Sequence, residues 1–318
     1  MTISGFSFVR NGVKLYFPVV ESIKSILPIC DEFVIAVGKG DPDDETRDAI
    51  IEIDDPKIKI VDTVWEDFEQ DYHGHINAIQ TNIALYECSG DWCFYLQADE
   101  VVNEKYLPVI KARCGELLSD AEVEGLLFRY KHFWGDYRHF QNGHGWYSRE
   151  IRIIRNEIGV RSHLSAQSFR IGERKLKVAE VDAEIYHYGW VRPPHLMQNK
   201  RKALHTIHWG GKESESKFKS EPAEFDYGPF DRLAVFEGAH PAVMKDKITS
   251  MNWMDNLQMT GKPSPAREPH KHEQFKYRAL SFIENKFLGG RRIGEYKNYT
   301  LLKKLRNRDE NKPHRFNL

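Results

Sequence analysis

Two adjacent carboxylates follow a short apolar run in the first third of the chain. Residues 92–96 read WCFYL, and Gln97, Ala98, Asp99 and Glu100 come directly after them. Acids at the end of a buried strand are costly unless a positive group neutralises them. A divalent cation with oxygen ligands is one such group, and it would bring phosphates with it. The alternative is a helix cap, because a helix is predicted over residues 104–117 and its N-terminus favours negative charge.

The elements that must position these acids alternate between strand and helix. Apolar runs predict strands over residues 2–10, 32–37, 57–63 and 92–96, and apolar residues at helical spacing predict helices over residues 12–27, 43–54 and 76–86. Repeated βα units with short links imply an open, mostly parallel sheet with right-handed crossovers. The fold class that the sequence predicts is therefore α/β.

The second half of the chain has a different order of predicted strands and helices. Strands are predicted over residues 125–133, 149–155 and 178–190, helices over residues 194–208, 231–236 and 273–287, and an exposed polar loop over residues 212–227. We therefore expect a first domain at residues 1–190 and a mainly helical C-terminal region with a basic tail at residues 191–318.

Three loops are the candidate ligand-binding segments, because ligands of open α/β sheets bind at the carboxyl ends of the strands. The first loop follows the first strand and contains Phe8, Val9, Arg10 and Asn11. The second follows the second strand and begins with Gly38 and Lys39. The third is the segment from Gln97 to Glu100, which carries the two acids.

The order of these segments resembles family 2 glycosyltransferases. The resemblance rests on residues 6–11 (FSFVRN), 31–37 (DEFVIAV), 43–46 (DDET) and 90–100 (GDWCFYLQADE). It covers about the first 105 residues well and weakens towards residue 190. It implies a GT-A fold, in which a Rossmann-like sheet flanked by helices binds a nucleotide-diphosphate sugar.

The resemblance also implies roles for individual residues. The donor nucleotide would be bound by Phe8, Val9, Arg10, Asn11, Gly38, Lys39, Gln97, Ala98 and Asp99, and the metal by Asp99, Glu100 and His187. The sequence departs from the family pattern twice. The first acid of the usual Asp-x-Asp is Gln97, which can bond hydroxyls but carries no charge. The acid expected after the second strand is replaced near Gly38 and Lys39.

The mechanism implied by the family is a direct, inverting displacement. A divalent cation, Mg²⁺ or Mn²⁺, would neutralise charge on the leaving nucleoside diphosphate. A carboxylate would deprotonate the acceptor hydroxyl, and Glu150 is the first candidate for this base, with Asp182 and Glu184 behind it. The alternative for each acid is an exposed strand position or an ion pair.

Several histidines of the chain have two interpretations. His187 and His163 follow strand-like segments, where some GT-A enzymes complete the metal shell with a histidine. The alternative for His187 is a packed, hydrogen-bonded ring. His73 and His75 precede the third helix, where they either approach the donor site or cap that helix.

Composition narrows the class of protein further. The net charge of −1 excludes a globally basic nucleic-acid binder. No apolar run approaches the 18 residues of a membrane span, and the first residues lack the basic segment of a signal peptide. Four cysteines without a CxxC pair indicate a reduced, cytoplasmic protein.

The C-terminal 28 residues are basic, with nine bases and three acids over residues 291–318. Leu301, Leu302 and Leu305 lie among these bases and predict a short basic amphipathic helix. Such a helix either touches the inner face of a membrane peripherally or docks on the main domain.

The function predicted from the sequence is glycosyl transfer from a nucleotide-diphosphate sugar donor to a carbohydrate or lipid-linked acceptor, as in polysaccharide biosynthesis. Two alternatives remain at this point. One is a non-catalytic nucleotide- or carbohydrate-binding relative, which Gln97 favours. The other is a nucleotidyltransferase, which shares the sheet and an acidic metal site.

Overall fold

Apolar runs of the sequence form the strands, and amphipathic segments form the helices. This computed structural model describes residues 1–68 and 75–305. The strands are β1 (Ile3–Val9), β2 (Glu32–Gly38), β3 (Ile58–Thr63), β4 (Trp92–Tyr95), β5 (Glu100–Val102), β6 (Gly125–Trp134), β7 (His139–Gln141), β8 (Arg149–Arg155), β9 (Val160–His163), β10 (Ser168–Ile171), β11 (Arg174–Trp190), β12 (Ala234–Val235) and β13 (Tyr299–Lys303). The α-helices are α1 (Val19–Ile26), α2 (Thr46–Ile51), α3 (Ile76–Tyr86), α4 (Leu107–Leu117), α5 (Pro194–Trp209), α6 (Gly211–Phe218), α7 (Lys245–Thr249) and α8 (Phe275–Phe287).

The first four strands are parallel and lie in the order β3-β2-β1-β4. Strand β2 is buried on both faces, as its continuous apolar run predicts. The chain adds β2 and β3 on one side of β1 and then crosses to add β4 on the other side. This reversal creates a switch point between the carboxyl ends of β1 and β4, where open α/β sheets bind ligands.

The second half of the chain extends the same sheet. Strand β8 pairs antiparallel with both β4 and β6, and β6 pairs parallel with β11. The 17-residue β11 also pairs with β5, β10 and β13. Its antiparallel pairing with β5 sets His187 opposite Glu100, next to the switch point. The predicted α/β class with helices flanking the sheet is confirmed.

Apolar side chains pack in three clusters. One lies between the sheet and helices α1 and α4, and a second lies on the face that α3 covers. The third is largely aromatic and joins Phe133 and Tyr188 of the sheet to Phe225, Phe230 and Trp253 from the region beyond residue 190.

Three expectations for the C-terminal region are wrong. The predicted loop at residues 212–227 contains helix α6, and the predicted helix at 231–236 contains a 3₁₀ turn and β12. Residues 299–303 form β13, because the edge of β11 offers backbone hydrogen bonds that override helical spacing. The predicted boundary at residue 190 coincides with the end of β11. Among the described residues, no helix has the length and apolar character needed to cross a bilayer.

Candidate functional site

Asp99 lies at the switch point and is almost fully buried. Its backbone oxygen accepts a hydrogen bond of 2.8 Å from the Tyr188 amide of β11. Its Oδ2 atom lies 3.1 Å from Nζ of Lys200 on α5 and 3.6 Å from Nε2 of His187. The carboxylate is therefore fixed between a strand end, a lysine and a histidine.

The charges around Asp99 decide its ionisation. Burial alone would raise the pKa of its carboxyl, but Lys200, His187 and Arg192 hold that pKa well below its usual range. Burial and the neighbouring Arg192 in turn lower the pKa of Lys200 to about 8. Both cations lie against the Phe17 ring, with Arg192 Cζ 4.6 Å and Lys200 Nζ 4.8 Å from its centroid. The buried cations of Lys200 and Arg192 thus face the one carboxylate of Asp99, and the site has an excess of positive charge.

A hydrogen-bonded pair of histidines orients the ring of His187. His132 Nε2 lies 2.8 Å from the Tyr147 carbonyl oxygen, which only accepts, so this nitrogen carries the proton. Burial lowers the pKa of His132 and keeps the ring neutral, so its Nδ1 accepts from His187 Nδ1 at 3.1 Å. In the neutral form of His187 the lone pair is then on Nε2, on the side of Asp99.

These atoms allow a test of the predicted metal. A carboxylate oxygen of Asp99 and an imidazole nitrogen of His187 form a neighbouring pair of donors, which fits a divalent cation completed by diphosphate oxygens and water. Within residues 1–68 and 75–305, no three acids, histidines or cysteines cluster into a complete metal site. Two side chains would therefore hold the cation, and they would compete with Lys200 for Asp99.

Glu100 is engaged elsewhere, although it follows Asp99 directly. Its two oxygens accept bonds of 2.7 Å from Arg152 Nε and Nη2, and Oε1 also accepts from the Tyr130 hydroxyl. Both members of this ion pair are fully buried. Its oxygens are thus used by Arg152 and Tyr130. Neither acid caps the next helix, because Asn103 makes that cap.

The three candidate bases have different surroundings. Glu184 on β11 accepts a hydrogen bond of 2.9 Å from the Tyr106 hydroxyl and pairs with Lys131 Nζ at 3.3 Å. Glu150 on β8 is buried; its Oε1 accepts a 3.3 Å bond from Asn298 and its Oε2 has no partner among the described residues. Burial raises the pKa of this carboxyl to about 7. Asp182 on β11 pairs with Arg129 Nη2 at 2.8 Å. It is five residues from His187, about 16 Å along a strand, so the structure does not bring it to Asp99.

The predicted donor loops meet around an indole ring. Phe8 packs on Trp65 with ring centroids 6.2 Å apart, and the Arg10 guanidinium lies 5.5 Å from the same ring. Gly38 has no room for a side chain, because a Cβ there would lie 2.3 Å from Trp65 Nε1. Asn11 adopts a left-handed conformation and its Oδ1 accepts from the Asp41 amide at 2.8 Å.

The remaining predicted donor residues take backbone or supporting positions. Val9 is a buried core residue, and Ala98 is buried beside Asp99. The Lys39 amide donates to the Thr63 carbonyl, which extends the pairing of β2 with β3. The Gln97 side chain donates to the Ala166 carbonyl at 3.2 Å and so ties the β9–β10 connection to the site.

Histidines 75 and 163 lie apart from the Asp99 group, and His73 falls outside the described residues. His75 and His163 line a cavity of about 360 Å³ between α3 and β9, together with Asn82. A second cavity, of about 490 Å³, is lined by Tyr16, Trp253 and residues 193–196 at the start of α5. Pro193 in the lining of this second cavity follows Arg192 directly in the chain.

Sequence reasoning missed the positive half of the site. Lys200 and Arg192 lie about one hundred residues after Asp99, and no local spacing connects them to it. His132 and Arg152 lie within strands β6 and β8, where no sequence pattern distinguished them as site residues. Trp65 could have been predicted as a site residue, because it follows β3 at the same edge of the sheet as the three candidate loops.

Comparison with known proteins gives structural matches alone. No family model matches the sequence, and no curated protein matches it. Glucosyl-3-phosphoglycerate synthase from Mycobacterium tuberculosis, solved with Mn²⁺, uridine diphosphate and phosphoglyceric acid, is 18% identical with a TM-score of 0.30. That match covers 41% of this chain and 43% of the synthase, so it spans less than half of either.

Two further matches are structures of S. aureus TarS. The chain is 16% identical to TarS with a TM-score of 0.38, over 65% of this chain and 39% of TarS. For residues 1–349 of TarS the TM-score is 0.35, with 65% of each chain covered. These values assign no donor, acceptor or metal to this chain. All three TM-scores are below 0.5, so the resemblance to GT-A glycosyltransferases remains the one that the sequence itself gives.

Proposed function

We propose that the chain is a glycosyltransferase that moves a sugar from a nucleotide-diphosphate donor to a hydroxyl of a carbohydrate or lipid-linked acceptor. The observation that carries this proposal is the buried group at the switch point. Lys200 and Arg192 face the single carboxylate of Asp99, and His187 completes the group. An excess of buried positive charge is complementary to a diphosphate, whose negative charge increases as the glycosidic bond breaks.

A divalent cation belongs to this proposal, with Asp99 and His187 as the side chains that hold it. When bound, it would neutralise charge on the departing diphosphate. The His132 ring fixes the tautomer and orientation of His187 through the 3.1 Å bond between their Nδ1 atoms. Lys200 neutralises Asp99 until the donor arrives, because its ammonium is 3.1 Å from Oδ2.

Glu150 is the proposed general base for the acceptor hydroxyl. A base is most effective when its pKa lies near the working pH, and burial brings the pKa of Glu150 to about 7. Its Oε2 atom is buried and unpartnered within the described part of the chain, so one oxygen is available to take a proton. The mechanism proposed with this base is an inverting displacement, in which it would act on the face opposite the leaving diphosphate.

A second candidate function is a non-catalytic nucleotide-binding relative, and Gln97 favours it. The amide brings no charge to the site, and the Ala166 carbonyl already occupies its donor group. Turnover separates the two candidates, since both would bind a nucleotide.

The experiment that tests the proposal is thermal unfolding with a panel of nucleoside diphosphates, each with and without Mn²⁺. A ligand at 100 times its dissociation constant adds about 2.7 kcal/mol of stability. We expect one nucleotide to raise the Tm, and Mn²⁺ to increase that rise. Asp99→Asn should greatly reduce the metal-dependent part, because a neutral amide oxygen is a weaker ligand for the cation than a carboxylate.

Asp62→Asn is the matched control, because Asp62 pairs with Arg47 at an exposed site. It should keep the full nucleotide response. Release of nucleoside diphosphate from the sugar donor that corresponds to the binding nucleotide then measures turnover. No shift with any nucleotide contradicts the proposal; binding without turnover favours the non-catalytic relative. A full Mn²⁺ response in Asp99→Asn removes the metal role of Asp99.

A further inference from the structure

Helix α8 exposes more large apolar side chains than a helix on a protein surface usually does. Phe275, Phe282 and Phe287 are 82%, 57% and 67% exposed. The segment that follows the helix adds Leu288, Ile293 and Tyr296, which are exposed as well. Single exposed apolar residues are common, but the Phe282 and Phe287 rings lie 6.1 Å apart, and grouped exposed rings mark an interaction surface. We call residues 275–297 with these side chains the α8 face.

The opposite side of α8 is held firmly, so its apolar side chains remain directed outwards. Glu284 is fully buried and accepts bonds from His144 Nδ1 at 2.7 Å, Arg292 Nη1 at 2.9 Å and the Ile293 amide at 2.8 Å. The Ser281 hydroxyl accepts from the His144 amide at 2.7 Å. Rotation of the helix to bury its phenylalanines would break all of these bonds.

The α8 face is also strongly basic. Its exposed cations are Lys276, Arg278, Lys286, Arg291 and Lys297, and none of them forms an ion pair with any described residue. The two acids of the segment are already used, since Glu284 binds Arg292 and Glu295 accepts from the Ser148 amide and hydroxyl. The face therefore offers uncompensated positive charge around aromatic rings.

We propose that the α8 face docks on the surface of an anionic phospholipid bilayer. Phenylalanine rings at the boundary of headgroups and acyl chains, with lysine and arginine beside them, are the composition of helices that lie on membranes. The cations are complementary to lipid phosphates, and their long stems allow the charges to reach those phosphates while the rings insert. A second copy of the chain is a poorer partner, because two such faces would bring ten uncompensated cations together.

This surface is connected to the candidate site through one loop. Ser281, Glu284 and Asn285 of α8 contact the loop at residues 142–144. The same loop continues to Tyr147, whose carbonyl accepts from His132 beside His187. A bilayer under α8 would therefore lie close to the part of the chain that precedes Glu150. The docking itself does not depend on the proposed enzymatic activity.

Flotation of the full chain with lipid vesicles tests this inference. Vesicles of phosphatidylcholine alone are compared with vesicles in which about 30% of the lipid is the anionic phosphatidylglycerol. We expect binding to the anionic vesicles only, and a clear loss of binding at high salt. Phe282→Ser combined with Phe287→Ser should weaken binding at least about tenfold, because two rings lose their insertion. Lys286→Ala combined with Arg291→Ala should weaken it about thirtyfold.

Matched controls lie on other surfaces of the molecule. Trp209 is an exposed aromatic residue at the end of α5, and Lys111 and Lys212 are exposed cations away from α8. Trp209→Ser, and Lys111→Ala combined with Lys212→Ala, should bind vesicles as the parent chain does. An unchanged Tm shows that the α8 variants remain folded.

Three results would overturn the inference. The first is that the parent chain binds neither kind of vesicle. The second is that the Phe282 and Phe287 double variant binds as well as the parent chain. The third is a concentration-dependent dimer in sedimentation velocity that this variant abolishes, since a second copy would then cover the α8 face.

Discussion

Glu150 and Asp182 show how the same functional group, a carboxyl, is placed in two different surroundings. Asp182 has a fixed counter-ion, because its Oδ1 pairs with Arg129 Nη2 at 2.8 Å. Glu150 is buried, its Oε1 accepts a 3.3 Å bond from Asn298, and burial raises the pKa of its carboxyl to about 7. The neutral and charged forms of Glu150 are therefore both accessible near neutral pH.

Replacement of Glu150 by glutamine tests the role of this carboxyl in turnover. If Glu150 is the base, Glu150→Gln lowers kcat by about 10²–10⁴-fold. The parent chain should gain activity as pH rises through about 7, because the base must lose its proton, and the variant should lack this rise. The measurement is kcat against pH with the donor found by thermal unfolding. Asp182→Asn provides the comparison, and a large loss there with none in Glu150→Gln would exchange the two assignments.

Strand β11 is the element that brings the site together. Its pairing with β5 sets His187 opposite Glu100, and its last residues continue to Arg192 and α5. The strand passes so close to the site at Gly189 that a Cβ atom there would lie 2.5 Å from His187 Nε2 and 2.6 Å from Asp99 Oδ2. Glycine is thus required at this position by close approach.

The substitution Gly189→Ala should therefore destabilise the protein. Overpacking of a well-packed region costs about 1–3 kcal/mol, because the His187 ring and the Asp99 carboxylate must move. Urea unfolding measures the free energy of unfolding. Gly211→Ala is the control, since a Cβ at Gly211 meets no atom within 4 Å, and it should change stability by less than about 0.5 kcal/mol. Equal stabilities of the two variants would show that β11 and its neighbours can shift to accommodate a methyl group at residue 189.

The elements near Asp99 could be predicted because each depends on local pattern. The buried run of β2 and the acids after β4 are visible in sequence, and the rule of strand carboxyl ends joins them. The helix α6 could not be found in this way, because its residues are polar on nearly all sides. Lys200 and Arg192 depend on how α5 packs against the sheet, which no spacing within the sequence encodes.

At the scale of the whole molecule, the aromatic cluster joins the C-terminal region to the sheet. Trp134 of β6 packs on Trp190 with ring centroids 4.7 Å apart, and its Nε1 donates to the Tyr227 carbonyl at 3.0 Å. Buried histidines belong to this cluster, and His272 lies 5.3 Å from the Trp134 ring. A buried histidine ring can gain a proton, whereas its aromatic neighbours cannot. The stability of the molecule therefore depends on pH.

The effect of acid on stability can be worked out for His272. Burial, with a smaller contribution from His270, lowers the pKa of His272 from about 6.5 to about 4, while Glu273 opposes this shift. Between pH 6.5 and 4 the unfolded chain binds a proton that the folded chain refuses, so stability falls as the pH falls. Glu150 acts in the opposite direction, because burial raises the pKa of its carboxyl from 4.5 to about 7, so its contribution to stability is lost as the pH rises from about 4.5 to 7.

A comparison of the parent chain with His272→Gln isolates this contribution from that of Glu150, which both proteins contain. The parent should lose up to about 1.4 kcal/mol more per pH unit than the variant between pH 6.5 and 4. Above pH 7 the two curves of unfolding free energy should run parallel, since His272 binds no proton in either state. Urea unfolding at half-unit intervals of pH provides both curves. Parallel curves across the whole range would mean that His272 binds its proton as readily in the folded core as in the unfolded chain.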